Sequence, residues 1–207
     1  MTDFEALKTA VMKGRRNDVA NLVQAAINEQ EDINALLDKG MIPAMREIGE
    51  KFSRNEAYVP ELLIAARAMQ AGLSLIEPLL AASGRQPLGK IAVGTVKGDL
   101  HDIGKNLVAI MLKGAGYEVI DLGVNCDCDK FNEGMKQGAQ VIACSSLLTT
   151  TMPYMKDVVD FFRGKNVKVI IGGAPVTQAY CDKIGADGYS EDASGAVRLV
   201  DSLLKTA

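Results

Sequence analysis

The sequence predicts two parts of different class: an N-terminal all-α helical bundle over residues 1–85, and a C-terminal doubly wound α/β domain with a five-stranded parallel sheet over residues 88–207. Three observations carry this. Apolar residues recur at helical spacing as far as about residue 80, with almost no strand signal. Beyond residue 88, short continuous apolar runs alternate with amphipathic stretches, the pattern of strands buried on both faces and of the helices covering them. Between the two, the segment around Ala82–Leu88 is small, polar and Gly- and Pro-containing, which marks a linker.

A first helix is expected around Phe4–Lys13. In Asn17–Gln30, Val19, Leu22, Val23, Ala26 and Ile27 line one buried stripe. Ile42, Met45, Gly49 and Phe52 line another, with Pro43 tolerated in the first turn after a break at Gly40. Over Pro60–Leu80, Leu62, Ala66, Met69, Leu73, Ile76 and Leu80 recur at alternating steps of four and three, the seam of a bundle. Strands are then expected at Ile91–Val96, Glu118–Leu122, Val141–Cys144, Val167–Ile171 and, briefly, Asp187–Tyr189. The intervening helices are Ile103–Ala115, Lys130–Gln137, Pro153–Arg163 and Gln178–Ile184, with a last one at Ala193–Leu204. Such sheets bind ligands beyond the carboxyl ends of their strands, which is where the chemistry is to be sought.

Composition narrows the function. With 23 Lys+Arg against 26 Asp+Glu, the net charge of -3 argues against a nucleic-acid or anionic-membrane partner. No stretch reads as the run of about 18 apolar residues that a membrane span needs, and the N-terminus lacks a signal-peptide layout. The chain is therefore expected in the cytoplasm, where Cys126, Cys128, Cys144 and Cys181 read as free thiols, the first two in a loop after the second strand. There is one histidine, His101, so multi-histidine metal sites are excluded and imidazole chemistry is confined to that residue.

His101 follows the first strand in Gly98-Asp99-Leu-His101-Asp102-Ile103-Gly104. A neutral imidazole can give one nitrogen to a metal if an acceptor holds its other N–H, and Asp99 is close enough in sequence to do so; either aspartate could instead cap the next helix. The third strand runs into Ser145-Ser146-Leu147-Leu148-Thr149-Thr150-Thr151, more hydroxyls than one N-cap at Thr150 or Thr151 requires. The fourth ends at Gly172-Gly173, which leaves room for a flat group against the backbone. Together these loops describe a groove lined by glycine and hydroxyls with one imidazole at its mouth. Glycines 94, 98 and 104 do not form the dinucleotide fingerprint, although Asp121 sits where a ribose-binding acid would. Ser145 stands where a phosphoacceptor domain needs an aspartate.

Asp99-Leu-His101-Asp-Ile-Gly104, Ser145-Ser-Leu147 and Gly172-Gly173 resemble the D-x-H-x-x-G, S-x-L, G-G pattern of cobalamin-binding domains. The helical part, including Tyr58-Val-Pro60-Glu-Leu-Leu, is similar to the bundle preceding that domain in corrinoid proteins of methanol, methylamine, quaternary-amine and O-demethylase methyltransferase systems. The resemblance covers essentially the whole chain and implies a flavodoxin-like, Rossmann-like fold holding cobalamin or a related cobamide. It makes His101 the lower axial ligand of cobalt, with Asp99 and Thr151 completing a proton relay. Ser145, Leu147, Gly172 and Gly173 would line the groove for the cofactor's tail. Gly98, Asp102, Ile103, Gly104, Thr149 and Thr150 become corrin contacts, Tyr189 after the fifth strand a tail contact, and Tyr58 and Met69 the residues of the bundle nearest the upper face. The implied function is a methyl carrier without catalytic base of its own: Co(I) accepts a methyl group through a substrate-specific methyltransferase and delivers it, as methyl-Co(III), to a second methyltransferase acting on tetrahydrofolate or coenzyme M. A reductive activase is the third implied partner. A cobamide-binding sensor is the alternative reading; a mutase subunit would lack the bundle.

Overall fold

The computed structural model describes residues 2–205, apart from the side chains of Ala81 and Lys205. The chain divides into two compact units, a helical one reaching Gln86 and also taking in residues 114–116, and an α/β one that begins at Pro87.

The helical unit contains α1 (Phe4–Met12), α2 (Arg16–Asn28), the short α3 (Ile33–Ala35), α4 (Ile42–Ser53) and α5 (Val59–Ala82). Asp3 opens α1 by accepting from the Ala6 N–H at 3.0 Å. The Glu61 carboxylate reaches back to the Tyr58 N–H at 2.6 Å, half of a capping box, at the start of α5. The break expected at Gly40 does not occur. Residues Leu36–Met41 form a π-helical segment that joins α3 to α4, and a Cβ on Gly40 would lie 2.7 Å from Leu7, so this glycine serves close packing. α5 packs on α1, α2, α3 and α4 and buries Leu62, Met69, Ile76 and Leu80 of the expected seam. One expectation fails here. Residues Val59–Leu80 are, at a mean hydropathy of 1.3, long and apolar enough to cross a membrane by length and composition, and 33% of the stretch is buried in the structure. Alanines and scattered polar residues such as Glu61, Arg67 and Gln70 hide this run from a search for unbroken apolar stretches.

The α/β unit alternates β1 (Lys90–Val96), α6 (Ile103–Gly114), β2 (Glu118–Cys126), α7 (Cys128–Lys136), β3 (Val141–Ser145), α8 (Tyr154–Phe162), β4 (Lys168–Gly172), α9 (Gln178–Ile184), β5 (Gly188–Ser190) and α10 (Ala193–Lys205). All strand pairs are parallel and their order is β2-β1-β3-β4-β5. The order reverses at β1, so the crevice at the switch point lies beyond the carboxyl ends of β1 and β3. β1 is buried from Ile91 to Val96, as a central strand covered on both faces must be. Phe131, Ile142, Met155 and Val158 fill the core on one side of the sheet. β2 runs four residues past its expected end. Asp121 is consequently mid-strand, its carboxylate 2.6 Å from Lys105 Nζ, and Cys126 and Cys128 terminate β2 and open α7 instead of occupying a loop. The four cysteines are free.

Candidate functional site

Two loops meet at the switch point: the one from β1 to α6, and the one from β3 to α8. Their junction is the carboxylate of Asp99, which is completely buried. Oδ1 accepts from the His101 N–H at 3.0 Å and lies 2.7 Å from His101 Nδ1. Oδ2 accepts from the Leu147 N–H at 2.8 Å, the Thr151 hydroxyl at 2.8 Å and the Ser146 hydroxyl at 3.2 Å. Burial by itself pushes the Asp99 carboxyl up; the hydrogen bonds from His101, Leu147 and Thr151 outweigh it and hold the group well below the usual carboxylate range. An ionised carboxylate is acceptor-only, so Nδ1 carries a proton and, in the neutral ring, Nε2 keeps its lone pair. The His101 side chain is 51% exposed while its partner is sealed. This is how an imidazole is prepared to ligate a metal through Nε2.

The two loops of the site also expose apolar side chains. Leu100 is 71% exposed and Ile103 75%, with Leu147 and Leu148 also well exposed, an unusual concentration for one edge of a sheet. Gly104, in the first turn of α6, has nothing within 4 Å of where a Cβ would stand, so the fold itself does not require a glycine there. Asp102 starts α6: its carbonyl accepts from Asn106 N at 2.8 Å and its carboxylate from Asn106 Nδ2 at 3.1 Å. Gly98, at φ +83, turns the loop ahead of Asp99. Thr149 and Thr150 are exposed in the turn before α8, and the expectation that Thr150 or Thr151 caps that helix fails. Pro153, whose side chain has no acceptor, occupies the cap position, and the Thr151 hydroxyl is turned to Asp99 instead.

Along the sheet edge, Ser145 ends β3 and is paired with Thr95 and Gly172. A Cβ on Gly172 would lie 3.0 Å from the Ser190 carbonyl oxygen. One on Gly173, at φ +131, would lie 1.9 Å from that of Ser146, so Gly173 is required by the neighbouring loop of the fold itself. Tyr189 is not in a loop after β5 but inside the strand, paired with Ile171 and packed on the core. In the helical unit Tyr58 is 67% exposed, whereas Met69 is 4% exposed and is a seam residue of α5; packing accounts for it.

Three residues that sequence reasoning missed complete the arrangement. Ser146, rather than its neighbour Ser145, sends its hydroxyl to Asp99 and stands 2.9 Å from Thr151 Oγ1. Buried Thr95 donates to the His101 carbonyl at 2.8 Å. Asn125 accepts from the Gly98 N–H at 2.8 Å. Period-two alternation at the end of β3 could have singled out Ser146; nothing local singles out the other two.

Comparison with known proteins agrees with this geometry. A B12-binding-domain family model matches residues 89–198, and a second, likewise described as a B12 binding domain, matches residues 3–77. Dimethylamine corrinoid protein 1 of Methanosarcina acetivorans is 41% identical over 207 residues, 97% of either chain. A corrinoid protein of Desulfitobacterium hafniense is 38% identical over 212 residues, covering 99% of this chain and 98% of its own. Among solved structures, a chain of the methanol:cobalamin methyltransferase complex of Methanosarcina barkeri matches with a TM-score of 0.86 at 26% identity, over 99% of this chain and 80% of that one. The chain belongs to the B12-binding corrinoid proteins of methyltransferase systems.

Proposed function

We propose that this protein is the methyl carrier of a one-carbon methyltransferase system, loaded by a substrate-specific methyltransferase and unloaded by a second one acting on tetrahydrofolate or coenzyme M. The names of its relatives, a dimethylamine corrinoid protein and a methanol:cobalamin methyltransferase complex, favour methylamines and methanol over betaines and methoxyarenes as donors. A reductive activase would return oxidised protein to the cycle.

One observation carries the reading: a buried, ionised Asp99 holds His101 at Nδ1 and leaves Nε2 as the free nitrogen of a half-exposed ring, in a loop that also exposes Leu100 and Ile103. The residues fit a corrinoid. Among the described residues no three His, Cys, Asp or Glu side chains gather to hold a metal ion unaided, so a metal at Nε2 brings its other ligands with it, as a corrin ring does. Leu100, Ile103, Leu147 and Leu148 offer that flat apolar group a floor, and the open side of Gly104 lets it come close to the backbone. When bound, the corrinoid supplies the cobalt that carries the methyl group.

The chain's own part is to hold and release a ligand. Asp99 orients the imidazole, and Thr151 and Ser146 keep the carboxylate hydrogen-bonded. His101 would hold the metal through the Nε2 lone pair; a proton at Nε2 would remove that lone pair, and Asp99 would hold the resulting imidazolium at Nδ1. Ligation is thereby coupled to proton uptake. Tyr58, exposed at the start of α5, is assigned to the opposite face of the cofactor. Arg85 is tied to the bundle through Asp38 at 2.6 Å, which leaves Gln86–Leu88 as the hinge.

The test is direct. His101→Ala protein loaded with a cobamide should lose methyl acceptance from a methylamine or methanol methyltransferase, and methyl transfer at the wild-type rate would refute the assignment.

A further inference from the structure

β2 does not finish as a regular strand. Against β1, Val93 pairs with Asp121, Gly94 with Gly123 and Val96 with Cys126, so β2 carries one extra residue in each of two successive intervals. These are β-bulges, which re-aim side chains beside functional sites. Their left-handed residues are Gly123, at φ +76, and Asn125, at φ +52, the second unusual for a residue with a side chain. Two hydrogen bonds of Asn125 run to the loop that carries His101. Oδ1 accepts from the Gly98 N–H at 2.8 Å, and its own N–H donates to the Asp99 carbonyl at 3.0 Å. The bulged segment is also tied to the element that follows the histidine. Asp121 Oδ1 accepts from Lys105 Nζ of α6 at 2.6 Å and from the Gly123 N–H at 2.8 Å. The backbone of the histidine loop is therefore held by Asn125 on the side of β2, while Asp121 anchors the helix that follows the loop through the Lys105 side chain.

We propose that the double-bulged end of β2 is a splint for the histidine ligand, with Asn125 a positioning residue that acts through Asp99 on the aim of the imidazole. The inference rests on the reading of His101 as the axial ligand and adds to it what sets the pose of the Asp99–His101 pair. Asp99 can orient the ring only if its own backbone is fixed, and no other side chain donates to or accepts from the Gly98–Asp99 backbone among the bonds of the described residues. The unfavourable φ of Asn125 is maintained by those two bonds.

Because the chain has a single histidine, ¹⁵N-histidine labelling yields one imidazole spectrum. In the cofactor-free wild type the ring nitrogens should report the Nδ1–H tautomer. Asn125→Gly keeps the backbone free to adopt φ +52 but removes the acceptor for Gly98, and should give a mixture of tautomers. Asn125→Asp restores an acceptor and should restore the wild-type spectrum. On loading with a cobamide, Asn125→Gly should bind it about tenfold more weakly, the low end of the cost of losing an outer partner of a metal-bound histidine. An unchanged imidazole spectrum in folded Asn125→Gly overturns the splint, even if affinity falls. The Co(II) spectrum of loaded wild type separates the two failures: without a histidine nitrogen coupling, the ligand reading falls and this inference with it, whereas coupling in the wild type alongside an indifferent Asn125→Gly sinks the splint alone.

Discussion

Asp99 is where fold and function depend on one charge. Its carboxyl is depressed in the native state, so its contribution to stability is complete above its unfolded value of about 4 and is lost as the pH falls through the lower native value. Asp99→Asn should lose about 2 kcal/mol at neutral pH, where donors are left without a charged acceptor. Thermal melts from acid to neutral pH should also show a flatter acid limb; a variant as acid-sensitive as the wild type would place the acid transition elsewhere. The two glycine sites make opposite predictions. Gly173→Ala collides with the Ser146 carbonyl and should destabilise the protein by about 2 kcal/mol or more. Gly104→Ala meets nothing, so the cofactor-free protein should be as stable or gain up to about 1 kcal/mol. Its cobamide affinity should nevertheless fall, measurable by titration. The Asp99–His101 contact was legible because their spacing beyond a strand end puts an acceptor within reach of the ring; what singled it out from a helix cap was the resemblance. Thr95 and Asn125 were not legible, since their partners lie on another strand or across a loop, and register is not written locally.

At the scale of elements, strand and helix periods read well where one face or both are buried, as in β1 and α5. They fail where a strand is irregular. β2 reads as ending at Leu122 because Gly123 and Asn125 interrupt the apolar run, yet the bulges allow pairing as far as Cys126. Gly40 reads as a break for a similar reason, its close contact with Leu7 being a tertiary matter. Lys105 is nearly fully buried and paired with a half-exposed Asp121. Asp121→Ala leaves the buried ammonium without its charged partner, with the neutral Asn106 Oδ1 at 2.7 Å still accepting from it, and should cost about 3 kcal/mol. Lys105→Met leaves a carboxylate that can hydrate, and should cost less. Equal losses in urea unfolding would mean that the pair is not what ties α6 to β2.

For the whole molecule, the helical and α/β units are joined by the short segment that follows α5. Arg85→Ala frees that segment from Asp38 and lengthens the link. If the mobility of the link limits transfer, methyl exchange with a partner enzyme should speed up at unchanged cobamide affinity; a lower affinity would show that Arg85 supports the site instead. The two-part organisation was legible from the change of hydrophobic period near residue 88, and the long helix α5 was expected over Pro60–Leu80; only its overall apolarity went unnoticed. The central claim, a single cobalt–nitrogen bond from His101, has a decisive test in the lone histidine. Protein labelled with ¹⁵N only at histidine, loaded with an unlabelled cobamide and poised as Co(II), should show the axial nitrogen splitting in its EPR spectrum change from the triplet of ¹⁴N to the doublet of ¹⁵N. A triplet that persists, or no axial nitrogen splitting, would contradict it.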